Sequence, residues 1–415
     1  MGRAVIPRRA LAALLLPAPA LAQAAPKVVV VGGGFGGASC ARALKRHGLD
    51  VTLVEADATY TSCPFSNAVI AGLRPMERQV FGYDAIRRDG ITVVHQAATG
   101  VDATARRVVL GDGGALPYDR LVLSPGIAIR YDALPGYDEA AAETLPHAWQ
   151  AGAQTGILRR QLEAMEDGGT VVIAIPANPY RCPPGPYERA SLIAHYLKAR
   201  KPRSKLIVLD AKDTFSKQRL FEAAWAALYP GLLDYVPLAL GGRVTAVDAA
   251  ARAVETDFGT HAGAVVNVIP PQRAGAIAQA AGVADRSGWC PIDPASFESR
   301  LVPGIHVIGD AAIAGAMPKS AFAANAQARV CAAAVAALLR DVPVPAPKLL
   351  NTCYSLVAPG YGISVAGVYQ SANGLLADVP GAGGTSPLDA PASVRAAEAT
   401  YAEDWFATVT ADAFG

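Results

Sequence analysis

The chain has 415 residues, of which 52% are apolar and 17% charged, with a formal net charge of +2. That length allows two or three domains and a sizeable buried core, and the balanced charge, with no basic run or stripe, excludes a nucleic-acid footprint. The 40 glycines and 31 prolines are interleaved with recurring strand-like apolar runs, which fits a loop-rich α/β protein rather than a disordered chain.

Residues 1–24 read as a signal peptide. Arg3, Arg8 and Arg9 give a positive start, Leu11–Ala20 is apolar but broken by Pro17 and Pro19, and Ala22-Gln23-Ala24 is a small-x-small cleavage pattern. The run is shorter than the roughly 20 residues that a membrane anchor needs. Arg8-Arg9 resembles a twin-arginine signal without the full pattern, so both the general secretory and the twin-arginine routes stay open. No later segment reads as transmembrane. The expectation is an exported, periplasmic protein without stable membrane insertion.

The first mature element is the valine run of Lys27–Val31, followed by a glycine turn carrying Gly32, Gly34 and Gly37, a helical run through Leu44, and a second strand, Asp50–Val54, ending at Glu55. Strand, glycine turn, helix, strand and acid in this order define a dinucleotide-binding unit. The glycines let the backbone approach a pyrophosphate at the helix N-terminus, and the acid meets a ribose hydroxyl. Tyr118–Gly126 is similar to the strand and turn that return the chain to this domain, with Ser-Pro-Gly where a small-Thr-Gly ending is usual.

A second α/β unit begins at Gly168–Ile175. A pyridine-nucleotide domain would continue into another glycine loop, but here Pro176–Pro186 follows. Proline lacks an N–H and has a fixed φ, so this segment cannot line a phosphate cradle with amides. The unit keeps the fold and loses the nucleotide site. Further on, Leu301–Asp310 delivers Gly309-Asp310, a pairing that in flavoproteins with two dinucleotide folds places the Asp on the flavin ribityl chain; this decides for FAD. The next helix is expected near Pro318-Lys319-Ser320, with Lys319 either pairing with the negative charge of the reduced flavin or standing as a surface cation. Pro343, Pro345 and Pro347 mark a linker to a last segment. The organisation is therefore a FAD-binding domain in two parts (25–140 and 266–342), a nucleotide-domain-like unit without its loop (141–265) and a C-terminal domain (343–415).

Of six cysteines, Cys40 and Cys331 fall in Ala-rich helical runs and read as small buried hydrophobes. Cys290 has no evident task. Cys182 follows the strand of the second unit on its ligand-binding side, and Cys353 follows the proline linker. Two cysteines meeting at a flavin suggest a redox disulfide, in which a thiolate attacks a disulfide and a second thiolate is left beside an electron acceptor. A structural disulfide or two buried thiols remain as alternatives. No Cys-x-x-Cys-His occurs, so the chain attaches no haem in that way, and no zinc-type cysteine spacing occurs, so no metal is expected.

The string Tyr180-Arg-Cys-Pro-Pro-Gly-Pro-Tyr-Glu-Arg189, the Tyr60–Asn67 and Met317–Asn325 segments and the surroundings of Cys353 together resemble the flavoprotein subunit of flavocytochrome c sulfide dehydrogenase and the related flavoprotein of the sulfur-oxidation system. The resemblance spans nearly the whole mature chain and implies a glutathione-reductase-like fold: two Rossmann-like domains plus a C-terminal α+β domain. It further implies Cys182 and Cys353 as the redox pair, Cys63 as the thioether attachment point of a covalent FAD, and Glu188 as an acid near the reaction, against the alternative of a solvated helix-start acid. The implied activity is oxidation of sulfide to zero-valent sulfur or polysulfide, with electrons passed to a c-type cytochrome subunit in a heterodimer. Two rivals are a sulfide:quinone reductase and a non-catalytic thiol-exchange flavoprotein that assists sulfur-carrier proteins. Trp405-Phe406 reads as core packing rather than a lid.

Overall fold

The computed structural model describes residues 25–415 and, of the first 24, Gly2 alone; the signal-peptide reading lies outside the described residues. Lys27–Val31 is the central strand of a five-stranded parallel sheet in the order Ile305–Val307, Arg120–Leu123, Lys27–Val31, Asp50–Val54, Thr92–Val94. Val28 to Val31 are all buried, as an unbroken apolar run must be in a parallel sheet covered on both faces. The edge strand Ile305–Val307 comes from late in the chain. The sheet is complete only when the segment carrying Gly309-Asp310 has returned to it.

The second unit is a four-stranded parallel sheet in the order Leu233–Val236, Lys205–Asp210, Thr170–Ile175, Val265–Val268. Its last strand runs to Val268, past the expected boundary at 265, because the pairing with Val171–Ala174 continues that far. Each unit carries a three-stranded antiparallel meander, at Ala98–Pro117 and Val244–Ala262. The outgoing and returning connections between the units pair with each other, Ile127–Ile129 against Gln272–Ala274.

In the second unit the place equivalent to Glu55 is filled from within. Asp210, fully buried at its strand end, accepts from Tyr187 Oη at 2.5 Å, Tyr235 Oη at 3.0 Å and Lys212 Nζ at 2.5 Å. Tyr187 stacks on Phe215 with ring centroids 3.5 Å apart, and Phe221, Trp225 and Tyr235 complete the cluster. Aromatic side chains thus pack around the end of the second strand of this unit.

The C-terminal segment is a long antiparallel hairpin, Leu349–Ala358 with Tyr361–Ala372, extended by Leu375–Asp378 and Gly384–Thr385 and crossed by the helix Ala392–Phe414. This is the expected α+β element. Among the described residues one helix, Ala321–Leu339, is long and apolar enough to cross a membrane by length and composition. It lies instead against the helix Phe35–Arg46, and the small residues Ala38, Ala41, Ala328 and Ala332 are all completely buried. Cys40 and Cys331 are in contact with each other at this seam, also without exposure, and fill the role of small hydrophobes.

The glycine turn is sterically fixed. A Cβ on Gly37 would stand 1.7 Å from the carbonyl oxygen of Gly32, and Gly32 itself has φ +98° with the Ser124 carbonyl oxygen 2.2 Å from where its Cβ would be. Gly37→Ala must therefore push the helix off the strand. It is expected to lower stability by about 2 kcal/mol or more and to reduce bound flavin, read as the urea midpoint and the ratio of flavin to protein absorbance; wild-type values for both would refute the packing argument.

Candidate active site

A cavity of about 580 Å³ opens between the first unit, the second unit and the C-terminal hairpin, a volume within the range of cofactor sites. One end is the glycine turn. Gly32 and Gly34 line it, Gly37 packs beneath it, and Glu55 faces it while accepting from the backbone N–H of Gly33 at 2.6 Å and of Asp57 at 3.1 Å. At the other end stand Gly309 and Asp310, followed by the start of the helix Ala321–Leu339, whose N-cap Ser320 accepts from Ala323 N–H at 3.0 Å.

Asp310 lacks a partner on Oδ1 although that atom is buried, and Oδ2 stands 4.0 Å from Arg181 Nε. Burial raises the pKa of its carboxyl, while Arg181 and Lys319 oppose the rise. A buried acceptor without a donor is a costly arrangement. A hydroxyl donor in the cavity would satisfy it, and a ribityl chain carries several. The cavity, the glycine turn and this orphaned carboxylate together fit FAD.

Lys319 departs from expectation. Its ammonium donates to the carbonyls of Asp310 and Ala312, each at 2.8 Å, and lies 3.9 Å from the Trp289 ring centroid, away from the cavity wall. The residue precedes the helix cap, so its side chain turns back under the tight turn Gly309–Ala311 and takes up that turn's free carbonyls. Burial lowers its pKa to about 8, with Asp310 opposing. It supports the Asp310 turn and does not line the cavity.

Cys63, Cys182 and Cys353 all line the cavity, and all six cysteines are free thiols in this structure. Cys182 is the positive-φ residue (φ 56°) that turns the chain into the helix Gly185–Arg200; its N–H donates to the Lys319 carbonyl at 2.8 Å and its carbonyl accepts from Gly185 N–H at 2.8 Å. Burial pushes the Cys182 thiol pKa upward, and the nearby Cys353 and Glu188 add to that rise. Cys353 sits in the first strand of the hairpin, and its Sγ accepts from Asn351 Nδ2 at 3.3 Å. Cys63 lies beside Arg181, and its Sγ is 3.9 Å from the Trp149 carbonyl.

The three cysteine-bearing segments are joined through Glu188. Its Oε2 accepts from Asn67 Nδ2 at 2.8 Å, and its Oε1 from Leu356 N–H at 2.8 Å. Asn67 Nδ2 also donates to the Gly185 carbonyl at 3.2 Å. With both oxygens committed, Glu188 is not a solvated helix-start acid. Burial raises its pKa, and these two hydrogen bonds oppose the rise.

Four residues of this region were not singled out from sequence: Asn67, Arg181, Arg189 and Lys217. Arg189 is 1% exposed and donates to Asn67 Oδ1 at 3.0 Å, Asn267 Oδ1 at 2.9 Å, and the carbonyls of His147 at 2.9 Å and Ala148 at 2.5 Å. Its guanidinium lies 4.9 Å from the Trp149 ring centroid. Arg189 ends the proline-rich string quoted above, but nothing in the string marks it as buried. The Trp405-Phe406 pair divides: Phe406 is core, 5.1 Å from Phe65, whereas Trp405 lines the cavity and stacks on Phe322 at 6.0 Å.

Fold and cavity define a two-dinucleotide-fold flavoprotein oxidoreductase. A pyridine nucleotide-disulphide oxidoreductase family model matches residues 26–173, and models described as the central and the flavin-binding parts of the flavocytochrome c sulfide dehydrogenase flavoprotein chain match 155–270 and 345–414. The flavoprotein chain of the sulfide dehydrogenase of Chlorobaculum thiosulfatiphilum is 58% identical over 45 residues, 10% of this chain and 94% of that sequence. The mitochondrial sulfide:quinone oxidoreductase of Dictyostelium discoideum is 24% identical over 210 residues, 49% of this chain and 43% of that one. Among solved structures, the sulfide:quinone oxidoreductase of Aquifex aeolicus shares the fold with a TM-score of 0.73 at 18% identity, covering 94% of this chain and 92% of that one. The chain belongs to the family of flavocytochrome c sulfide dehydrogenase flavoprotein chains, FAD-dependent oxidoreductases of sulfide.

Arg189→Met would leave two amide oxygens and two carbonyls unpaired in the interior. The expected cost is about 3 kcal/mol or more, seen as a lower urea midpoint, whereas Arg203→Met, at an exposed ion pair with Asp167, is expected to cost less than about 1 kcal/mol. Equal effects of the two substitutions would contradict the reading of Arg189 as the buried tie.

Proposed function

We propose that this chain oxidises sulfide to zero-valent sulfur through a Cys182–Cys353 disulfide at the flavin and passes the electrons to a c-type cytochrome subunit. The observation that carries the reading is the meeting of Cys182 and Cys353, far apart in sequence, at the wall of one cavity that also holds the glycine turn and Asp310. In the oxidised enzyme HS⁻ attacks one sulfur of the disulfide. That sulfur becomes a persulfide and the other cysteine leaves as a thiolate. A second nucleophile takes the zero-valent sulfur, and the pair returns to the disulfide after losing two electrons; overall HS⁻ gives S⁰, H⁺ and two electrons. Bound FAD supplies what the side chains lack, a group that accepts two electrons together and returns them singly. Glu188 and Asn67 keep the cysteine segments in register, and Trp149, Trp405 and Phe322 line the cavity.

The cytochrome acceptor is supported by the family, whose members are named as flavoprotein chains of a flavocytochrome, and by the lack of a Cys-x-x-Cys-His in the sequence. Covalent attachment of FAD at Cys63 is supported by the place of that thiol on the cavity wall, beside Arg181. Export to the periplasm rests on residues 1–24 and accords with a covalent flavin, since a cofactor lost outside the cytoplasm is not replaced. Pro176–Pro186 and the aromatic cluster around Asp210 argue against NAD(P)H as reductant. The likeness to sulfide:quinone oxidoreductase carries a second reading in which a quinone is the acceptor; reduction of ubiquinone analogues faster than cytochrome c would favour it.

Stopped-flow flavin absorbance tests the chemistry. Sulfide is expected to bleach the wild-type flavin and NADH is not, while Cys182→Ser and Cys353→Ser each slow sulfide bleaching at least about a hundredfold with flavin still bound. Wild-type rates in Cys353→Ser would make the pair structural and leave direct attack on the flavin as the account. Acid-precipitated protein is expected to keep its flavin on the Cys63 peptide by mass, and Cys63→Ser to release it; fully extractable flavin from wild type would remove the thioether.

A further inference from the structure

Lys217 lies in the left-handed region, φ 63°, just before the helix Gln218–Leu228. A non-glycine residue there costs of order 1 kcal/mol, and the side chain is only 7% exposed. Its ammonium crosses from the second unit into the C-terminal hairpin. Nζ donates to the Cys353 carbonyl at 2.9 Å, to Ser355 Oγ at 2.8 Å and to the Ile363 carbonyl at 3.4 Å.

Three acceptors match the three N–H groups, but none is charged. The anionic or ionisable groups that act on this ammonium are, in falling order, Cys353, Glu188, Cys182 and Glu398, and they oppose a burial that lowers its pKa to about 8. Arg181, Arg189 and Arg395 are the other cations, the first acting on Cys182, the second on Cys63, Cys182 and Glu188, and the third 3.4 Å from Glu398 Oε2. Glu188 is held by Asn67 and Leu356, and Glu398 by Ser364 and Ser386, each serine 2.7 Å or less from its Oε1. A buried cation without a carboxylate on its nitrogen is costly to keep, and its shortest carbonyl bond is to Cys353 itself.

We propose that Lys217 is the counter-charge for the anionic sulfur that forms at Cys353 when the Cys182–Cys353 disulfide is opened. The inference rests on the disulfide reading above. When HS⁻ adds and the S–S bond breaks, no electron leaves the pair; the persulfide and the freed cysteine together hold one proton and the one negative charge that HS⁻ brought. Glu188 disfavours that charge on the Cys182 side, where Arg181 and Lys217 oppose it in part, and Lys217, fixed to the Cys353 carbonyl, acts first on Cys353. Lys217 acts through its field and through the strand it anchors, so it is a positioning residue.

The test is the pH profile of iodoacetamide labelling at Cys353 in the reduced, flavin-containing protein, followed by peptide mass. Lys217→Gln keeps a donor for the Cys353 carbonyl and removes the charge; Lys217→Arg keeps the charge. The glutamine variant is expected to slow Cys353 labelling at pH 7.5 about tenfold and to move the profile up by about one pH unit, while the arginine variant stays within about threefold of wild type. A wild-type profile in Lys217→Gln, or equal shifts in both variants, overturns the proposal. Should Lys217→Gln fail to fold, wild-type protein decides: Cys353 must label faster than Cys182 at pH 7.5, and the reverse order overturns the proposal. Labelling needs neither sulfide nor an acceptor, so sulfide-dependent bleaching of the flavin reports separately on the substrate reading.

Discussion

Both carboxylate oxygens of Glu188 are spent on other parts of the chain, one on Asn67 Nδ2 and one on the N–H of Leu356, each at 2.8 Å. These two bonds connect the segment of Cys63, the helix start behind Cys182 and the strand of Cys353. Each segment belongs to a different part of the fold, and no hydrogen bond of the sheets holds all three. If Glu188 lost its partners, the cysteines would keep their own secondary structures but lose their common wall. The clamp is itself held from below by Arg189, which bonds Asn67 Oδ1 and ties it to Asn267 in the second sheet and to the carbonyls of residues 147 and 148.

The electrostatics follow from the same burial. Desolvation alone pushes the Cys182 thiol toward its neutral form, which suits a resting disulfide and not a thiolate. In the proposed chemistry, opening a Cys182–Cys353 disulfide with HS⁻ would bring a negative charge into a site that already holds Glu188. Cations have to be present before it arrives, since side chains in a packed interior reorganise little. Arg181, Arg189 and Lys217 are those cations, and their hydrogen bonds go mostly to carbonyls and amide oxygens rather than to carboxylates. The second unit contributes the helix of Cys182 and the loop of Lys217 to the cavity region, while Tyr187 and Phe215 stack on each other beside Asp210.

Much of this was legible in the sequence because it depends on local rules. The glycine turn and Glu55 follow from steric needs that only glycine meets and from a fixed spacing; the strand ahead of Gly309-Asp310 and the helix start near Ser320 follow from the apolar pattern. The loss of the nucleotide loop was legible because proline cannot donate. The clamp was not. Asn67 and Leu356 carry no pattern that marks them as partners of Glu188, and a hydrogen bond across 121 or 168 residues has no local signature. Lys319 misled for the same reason. Its place beside a flavin-side helix start was right, but whether the side chain points into the cavity depends on which carbonyls the preceding turn leaves free. Lys217 lies in an unremarkable loop, and only the packing of the hairpin against the second unit gives it a task. The residues that a family string contains were easier to find than those that hold the string in place.

The account depends most on Cys182 and Cys353 being bonded to each other in the oxidised enzyme. Digestion of the air-oxidised, flavin-containing protein without reductant, followed by peptide mass, measures this directly. The expected product is a Cys182–Cys353 cross-linked peptide that disappears when the protein is treated with dithiothreitol before digestion, with Cys40, Cys290 and Cys331 recovered as thiols throughout. Recovery of Cys182 and Cys353 as separate thiols from oxidised, active enzyme, or of either cysteine bonded to a different partner, would contradict it.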